Sequence, residues 1–264
     1  MVKGLYTAYT GMINEQRRLD VLSNNLANAD TNGYKKEGAT SQTFADELAV
    51  KIKDTSDYAL PKRLGGVSLG VHIGETYTDY SQGGFKVTDN QTDFAISGNG
   101  FFAIAFTDKQ GNTSVKYTRD GAFIVNTQGY LVTKDGDYVL NQAAAMNGDP
   151  NGRILVNPNL KLSVDEFGNI FQNEQVVANI GVVDIQDYNY LAKYGENLYD
   201  LVDGGVRIAS DAKVEQGLLE ASNINVVSEM VEMITISRAY QAGQKVINTI
   251  DETLQKAANQ IGAV

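Results

Sequence analysis

Few side chains in this sequence could do chemistry, and none of them has the partners that a catalytic or metal site needs. His72 is the only histidine in the 264 residues, and the chain contains no cysteine. General acid–base catalysis by His72 would need a positioned partner, and no such partner is identifiable in the sequence. Thiolate nucleophiles, cysteine-ligated metals and disulfide bonds are excluded by composition. We therefore interpret His72 as a structural residue.

Three glycine-containing runs begin like ligand-binding motifs without completing them. The run NGDPNG at residues 147–152 resembles the start of a calcium loop, but Pro158 stands where a bidentate glutamate is required. The run GNG at 98–100 lacks the third glycine and the βαβ setting of a dinucleotide site. Asp135 and Asp137 flank a glycine, as acids in turns commonly do. We predict no catalytic residue, no cofactor, no metal and no enzymatic activity.

Composition also argues against two classes of partner. The net charge is −10, whereas binding nucleic acid requires a Lys/Arg surface. The acidity is concentrated in residues 39–214, which carry a net charge of −8. Charged residues interrupt the N-terminal stretch where a secretory signal must be apolar, and no apolar run approaches the length of a membrane span. We expect a soluble protein without direct membrane insertion, and if it leaves the cytoplasm, it does so without a cleaved signal peptide.

The strongest structural signal lies in the last forty residues. Apolar residues recur there at alternating steps of four and three, which predicts one face of a continuous helix, on the order of 55 Å long. Asn225 is a plausible N-cap of this helix. Gly243 suggests a close approach of another helix, since glycine costs roughly 1 kcal/mol in a helix interior. This C-terminal seam comprises Val226, Glu229, Met233, Ile236, Tyr240, Gly243, Ile247, Ile250, Leu254, Ala257 and Ile261.

The N-terminal residues show the same alternation and predict a helix from about Lys3 to Asn28. We expect the two seams to pair with each other, with copies from neighbouring subunits, or with both. An ordinary helical bundle or a homodimeric coiled coil is the alternative that periodicity alone favours. We expect the seams to be buried only on assembly. The N-terminal seam comprises Leu5, Ala8, Met12, Glu15, Leu19, Leu22, Leu26 and Ala29.

Between the helices, the sequence predicts an arm and a β domain. Phe44 to Ile52 fits a short helix, and the polar stretch that follows fits an exposed linker. From Val71 onward, short runs of β-forming residues are separated by turn dipeptides, which indicates an antiparallel sandwich or distorted barrel. The predicted fold class is α+β. The predicted domains are 1–36, an N-terminal assembly helix and motif; 37–70, an extended arm or linker; 71–210, a central β domain; and 211–264, a C-terminal assembly helix.

The end of the first helix is unusually rich in asparagine, with four such residues between positions 24 and 32. Their side-chain amides could bond a neighbouring chain, but local capping is the preferred interpretation. The run from Leu19 to Lys36, LDVLSNNLANADTNGYKK, resembles the N-terminal signature of the bacterial flagellar axial proteins that build the rod and hook. Within this run, the residues that carry the family motif are Asn25, Asn28, Thr31, Asn32, Gly33 and Tyr34.

Further runs share this resemblance to the flagellar rod and hook family. DFAISGNGFFAI and YTRDGAF are similar to the first β motifs of the family, GENLYD to a later one, and LEASNINVVSEMVEMITISRAYQAGQKVI to its C-terminal helix. The chain length and the run from Gly65 to Phe102 resemble the distal rod members most, with the proximal rod members close behind and a hook position also open.

The resemblance implies a structural subunit that is exported by the flagellar type III apparatus. It implies that the terminal helices polymerise into a hollow helical shaft, which transmits torque from motor to hook. The central domain would face outward, toward bushing rings or cell wall, and adjoining rod and hook proteins would be partners. A different class remains as the alternative, namely a secreted surface-binding protein on a coiled-coil stalk. That alternative predicts clustered exposed aromatic residues lining a groove of the β domain.

Overall fold

Long helices occupy both ends of the chain, as the sequence predicts. The first helix, α1, spans Val2–Ala27, and the C-terminal helix spans Val226–Lys256 and continues as a π-helical turn at Ala257–Ile261. Asn225 is the N-cap of the C-terminal helix, because its side chain accepts a hydrogen bond of 3.2 Å from the backbone N–H of Ser228. The computed structural model describes residues 2–45, 47–50, 63–68, 70–195 and 197–261.

The chain forms two compact units, each built from several segments. The helical unit consists of Met1–Ala27, Lys36–Asp79 and Ile224–Val264. The central unit consists of Asn28–Lys35 and Tyr80–Asn223. The asparagine-rich motif is therefore divided, with Asn25 in the helical unit and its later residues in the central unit.

The helical unit contains four strands between its two helices. Strand β1 (Glu37–Thr43) pairs antiparallel with β4 (Val71–Thr78), and β2 (Glu47–Val50) pairs with β3 (Arg63–Val67). The prediction of a short helix from Phe44 to Ile52 is wrong for residues 47–50, because these form a strand through pairing with residues distant in sequence. The remainder of the predicted arm, residues 51–62, lies outside the described residues.

The central unit is rich in short strands, with one short helix, α2 (Gln142–Asn147), and a 3-10 turn at Tyr188–Tyr190. The long C-terminal helix is therefore α3. The strands of the central unit are β5 (Phe85–Val87), β6 (Phe94–Ser97), β7 (Phe101–Thr107), β8 (Thr113–Thr118), β9 (Ile124–Val125), β10 (Leu131–Val132), β11 (Tyr138–Val139), β12 (Ser163–Val164), β13 (Asn169–Gln172), β14 (Gln175–Asn179), β15 (Val182–Ile185), β16 (Leu191–Tyr194), β17 (Leu198–Leu201), β18 (Arg207–Ala209), β19 (Lys213–Gln216) and β20 (Leu218–Glu220).

The main sheet of the central unit has β7 at its centre. Its order among the described strands is β16-β17-β8-β7-β11-β10-β9, and β15 joins β7 to β18. A three-stranded sheet, β12-β13-β14, and the pairs β19-β6 and β20-β5 complete the unit. The predicted antiparallel pairing is confirmed for the main sheet.

Alternate residues of β7 enter two different hydrophobic cores. Phe102 packs with Phe94, Phe123 and others in one core, whereas Phe101 packs with Tyr117 and others in the second. Successive side chains of a strand point to opposite faces of the sheet, so β7 is covered on both faces. This explains why FFAIAF is a continuous apolar run instead of an alternating one.

The segment just before α3 belongs to the central unit. The sequence places residues 211–264 with the C-terminal helix, but β19 pairs with β6, and β20 pairs with β5. Both strands are short, with Val214, Leu219 and Glu220 buried. Their strand character depends on partners more than a hundred residues away in sequence.

Candidate functional site

Helices α1 and α3 of the helical unit run antiparallel and contact each other along the predicted seams. Met12 lies beside Gly243, where an added Cβ atom would come within 2.8 Å of the Met12 Cγ atom. Further along, Arg18 forms a 3.1 Å ion pair with Glu232. The small residue at position 243 thus coincides with a close approach of the other helix, which is the physical reason that the sequence suggested for it.

Burial along the seams follows the predicted spacing. Leu22 and Ile236 are buried, at 6% and 2% exposure. The expectation that the seams become buried only on assembly is therefore wrong for these two residues, because α1 and α3 pack together within one chain. The half-buried seam residues are Leu5, Met12, Leu19, Leu26, Met233, Tyr240, Gly243, Ile247 and Ile250.

The last apolar residue of the seam in α3 proper, Leu254, is different, because it is 43% exposed. Met12 lies beside Gly243, and ten residues before Met12 on α1 correspond to ten after Gly243 on α3. The described start of α1 at Val2 is therefore level with about residue 253 of α3. The seam of α3 thus continues beyond the described part of α1.

One polar cluster lies within the helix contact and explains the single charge in the C-terminal seam. The Glu229 side chain is 1% exposed and accepts hydrogen bonds from Asn25 at 3.2 Å and from Lys36 at 2.5 Å. The hydrogen bond from Lys36 to Glu229 raises the pKa of the Lys36 ammonium group. Asn25 also bonds both backbone groups of Glu37, donating to its oxygen at 2.8 Å and accepting from its N–H at 3.0 Å.

The interpretation of the asparagines as local caps is therefore wrong for Asn25. Its amide connects α1 with β1 and α3, which are distant in sequence, and this requires the tertiary structure. Local bonding does occur at Asn28, where the Thr31 hydroxyl donates to the Asn28 side-chain oxygen at 3.3 Å.

The later motif residues pack inside the central unit. Gly33 has φ of +67° and donates its N–H to the Glu220 carbonyl oxygen at 2.7 Å. Tyr34 is 1% exposed, and its hydroxyl accepts a 3.0 Å hydrogen bond from Lys193. The Asn32 carbonyl oxygen accepts a 2.8 Å bond from the Asn197 side chain.

A buried ion cluster of the central unit lies next to this motif. The Glu220 carboxylate pairs with Lys35 at 2.6 Å and with Arg119 at 3.1 Å, and all three side chains are at most 2% exposed. Lys35 also donates to the Ser81 carbonyl oxygen at 2.7 Å. These contacts hold together segments that lie next to three of the points where the chain passes from one unit to the other, near residues 35, 80 and 223.

Sequence reasoning missed this ion cluster, although a signal for it was present. Each of its three residues falls in a different run that resembles the family: Lys35 in the N-terminal signature, Arg119 in YTRDGAF, and Glu220 at the start of the C-terminal run. Opposite charges in separate motif runs are a sign of a buried pair, but sequence alone does not show which residues meet.

The residues considered for chemistry have structural surroundings. His72 stacks on Phe44, with 4.7 Å between ring centroids. The calcium-like run contains the C-cap Gly148 of α2 and a turn in which Asp149 accepts from the Asn151 N–H at 3.0 Å. Burial raises the pKa of the Asp120 carboxyl, which accepts a bond from the Ala122 N–H.

Neither a metal cluster nor a membrane-spanning helix is present in the described part of the chain. Within the described ranges, no three or more His, Cys, Asp or Glu side chains are grouped so that they could hold a metal ion. None of the described helices is both long and apolar enough to cross a bilayer.

Comparison with known families decides how these features are interpreted. Three family descriptions match: "Flagella basal body rod protein" at residues 5–35, "Flagellar hook protein FlgE/F/G D1 domain" at 95–172, and "Flagellar basal body rod FlgEFG protein C-terminal" at 215–261. The flagellar basal-body rod protein FlgF of Caulobacter vibrioides is 33% identical over the full length of both chains. The chain belongs to the flagellar basal-body rod family.

Other relatives in this family are similar to the same degree. The flagellar basal-body rod protein FlgG of Buchnera aphidicola subsp. Schizaphis graminum is 32% identical, covering 97% of this chain and 98% of the relative. The flagellar hook-basal body complex protein FlhO of Bacillus subtilis is 32% identical over the full length of both chains. The predicted family and the predicted structural role in the flagellar basal-body rod are confirmed, and the identities to FlgF and FlgG relatives are equal within one percentage point.

Proposed function

We propose that the chain is a subunit that polymerises through α1 and α3 into the hollow helical shaft of the flagellar rod, and that the shaft transmits torque from motor to hook. The observation that carries this proposal is the seam of α3, which continues past the described start of α1 and leaves Leu254 43% exposed. An exposed continuation of a buried seam is suited to pairing with another helix of the same kind.

The proposed assembly site comprises the seam residues of both helices and the motif residues at the end of α1. Terminal helices in neighbouring copies make coiled-coil-like contacts, while the central β domain, sandwich-like in this proposal, lies outside the tube. The packing of β7 between two cores supports the layered arrangement of that domain. The proposed division of labour assigns assembly to residues 1–36 and the C-terminal helix, and outward contacts to residues 71–210.

Partners in this proposal are copies of the chain, adjoining rod and hook proteins, the type III export apparatus, and bushing rings or cell wall. The subunit is extracytoplasmic after export without a cleaved signal peptide and has no enzymatic activity. Similarity to FlgF and FlgG relatives alike supports placement in the rod, with distal and proximal positions equally favoured.

The alternative of a surface-binding protein on a stalk has less support. A groove of about 640 Å³ in the central unit lies between α2 and β14. Its lining includes Met146, Arg153, Leu155 and Val177 and contains no aromatic side chain. This groove therefore lacks the aromatic surface that the alternative predicts.

Replacing Leu254 by Asp tests the assembly proposal, because it places a charge on the exposed end of the seam without disturbing a buried contact. We expect Leu254→Asp to abolish swimming in soft agar and to yield basal bodies without a complete rod. The purified full-length variant should keep the thermal unfolding curve of the wild type. Gln255→Asp is the matched control, since Gln255 is an exposed neighbour on the same turn, and it should swim normally. Motile Leu254→Asp cells with intact rods would contradict the proposal.

A further inference from the structure

An apolar stripe runs along the outward face of α3 near its N-terminus. Val227, Met230, Val231 and Ile234 lie on one side of the helix, and they are 71%, 47%, 60% and 54% exposed. The nearby Thr235 hydroxyl donates to the Val231 carbonyl oxygen at 2.9 Å, so its donor is satisfied within the helix. A contiguous exposed apolar surface of this kind is typical of an interaction site.

A second apolar patch lies on the first turns of α1. Tyr6 and Tyr9 are 58% and 52% exposed and stand about one turn apart. The hydroxyls of Thr7 and Thr10 donate to the carbonyl oxygens of Lys3 and Tyr6, each at 3.0 Å. Exposed tyrosines of this kind are frequent anchors of protein interfaces.

The two patches lie at opposite ends of the same helix pair. With Met12 beside Gly243 and the helices antiparallel, Tyr9 is level with about residue 246 of α3. Val231 lies about fifteen residues from that level, which corresponds to roughly 22 Å along the helix axis. The tyrosines of one chain therefore cannot cover the stripe of the same chain.

We propose that the Tyr6/Tyr9 patch of one copy docks on the Val227–Ile234 stripe of the next copy, so that subunits join head to tail. This inference rests on the proposed function and names the surfaces by which successive copies meet. A contact between two different patches is heterologous, and it repeats without end when its rotation does not close, as a shaft requires.

Charge agrees with this pairing of patches. Lys3 is exposed beside the tyrosines, while Glu232, beside the stripe, has a 44% exposed side chain. Opposite charges next to the two patches favour the proposed orientation over contacts of like patches. Because both halves of the contact are present on every chain, a second copy is the partner that fits.

Disulfide trapping tests the contact without background, because the chain has no cysteine. The chromosomal copy in the source bacterium is replaced by the double variant Tyr9→Cys/Val231→Cys, and isolated basal bodies are oxidised. We expect a ladder of covalent multimers on a non-reducing gel. A bond within one chain is excluded, because a disulfide needs Cα atoms less than about 7 Å apart.

The matched control is Tyr9→Cys/Gln241→Cys. Gln241 is exposed on the same face of α3, seven residues past Ile234, and should give only monomer, as should each single variant. A second measurement uses charges: Tyr9→Glu and Val231→Lys should each reduce swimming, and combining them should restore it in part.

The outcomes separate the docking contact from the function on which it rests. Motile cells with intact rods but no ladder from the 9/231 pair, or with a ladder from the 9/241 pair, overturn the docking contact and leave the rod role standing. If deletion of the gene leaves swimming and rods intact, the proposed function fails and the docking contact fails with it.

Discussion

Gly33 determines the path of the chain after α1. Its φ of +67° is a conformation that L side chains rarely adopt, and an added Cβ atom would lie 2.5 Å from the backbone carbon of Arg119 and the backbone nitrogen of Asp120. Backbone atoms of a buried strand end cannot move aside as the tip of a flexible side chain can. Glycine at this motif position is therefore required by space as well as by backbone conformation.

Gly33→Ala should lower the free energy of unfolding by at least about 3 kcal/mol, since it combines backbone strain with a steric clash. Gly195→Ala is the matched control, because Gly195 has φ of +68° with no atom within 4 Å of an added Cβ. The control should lose only the about 1–2 kcal/mol of a left-handed L residue. Urea unfolding of the full-length variants measures both, and equal losses would disprove the steric argument.

The buried ion cluster makes Glu220 equally sensitive. Glu220→Gln keeps the shape of the side chain but leaves Lys35 and Arg119 buried without a counter-charge. We expect a loss of about 3 kcal/mol in the free energy of unfolding, as for other broken buried pairs. Glu166→Gln, which breaks the exposed pair with Lys213, should cause no measurable change. Similar urea midpoints for the two variants would show that the cluster does not stabilise the fold.

At the level of elements, polar contacts determine how α1 aligns with α3. Apolar seams with a repeating pattern allow several registers, because a shift by one heptad still pairs apolar residues. A buried polar group restricts the choice, since any other register leaves it unpaired. Here the Asn25 amide reaches Glu229 and Glu37 in one register only, so we regard it as the residue that sets the alignment of the helices.

Asn25→Ala should destabilise the helical unit by about 2 kcal/mol, because it removes a donor from the buried Glu229 carboxylate and leaves the Glu37 backbone groups without the Asn25 amide. Ser23→Ala, an exposed change one turn face away on the same helix, is the control and should be nearly neutral. Urea unfolding followed by helical ellipticity compares the two. A variant as stable as the control would rule out this role for Asn25.

At the level of the whole molecule, the two ends of the chain meet in one unit, and the middle of the chain forms the other. The chain passes between the units after residues 27, 35, 79 and 223. Within the central unit, the ion cluster and the motif loop hold the segments next to several of these crossings in fixed positions. For a subunit proposed to transmit torque, firm anchoring of the connections is a mechanical requirement, and this gives the buried charges a purpose beyond stability.

Much of the fold could be predicted because its signals are local. The spacing of apolar residues and the capping preference of Asn225 predicted both long helices, and turn dipeptides predicted the β-rich middle. The strand at 47–50 and the strands after residue 211 could not be predicted in this way. They are short, and their conformation depends on pairing with distant segments, which local propensity does not describe.

The sequence by itself determined the two seamed helices, the absence of cysteine chemistry and the resemblance to rod proteins, because periodicity, composition and motif runs are properties of neighbouring residues. Only the tertiary structure decided that Asn25 bonds Glu229, that Lys35, Arg119 and Glu220 share one buried site, and that Tyr6 and Val231 remain exposed at opposite ends of a helix pair. These facts depend on which distant residues meet, and a buried charge or an exposed apolar side chain acquires its meaning only from that surrounding.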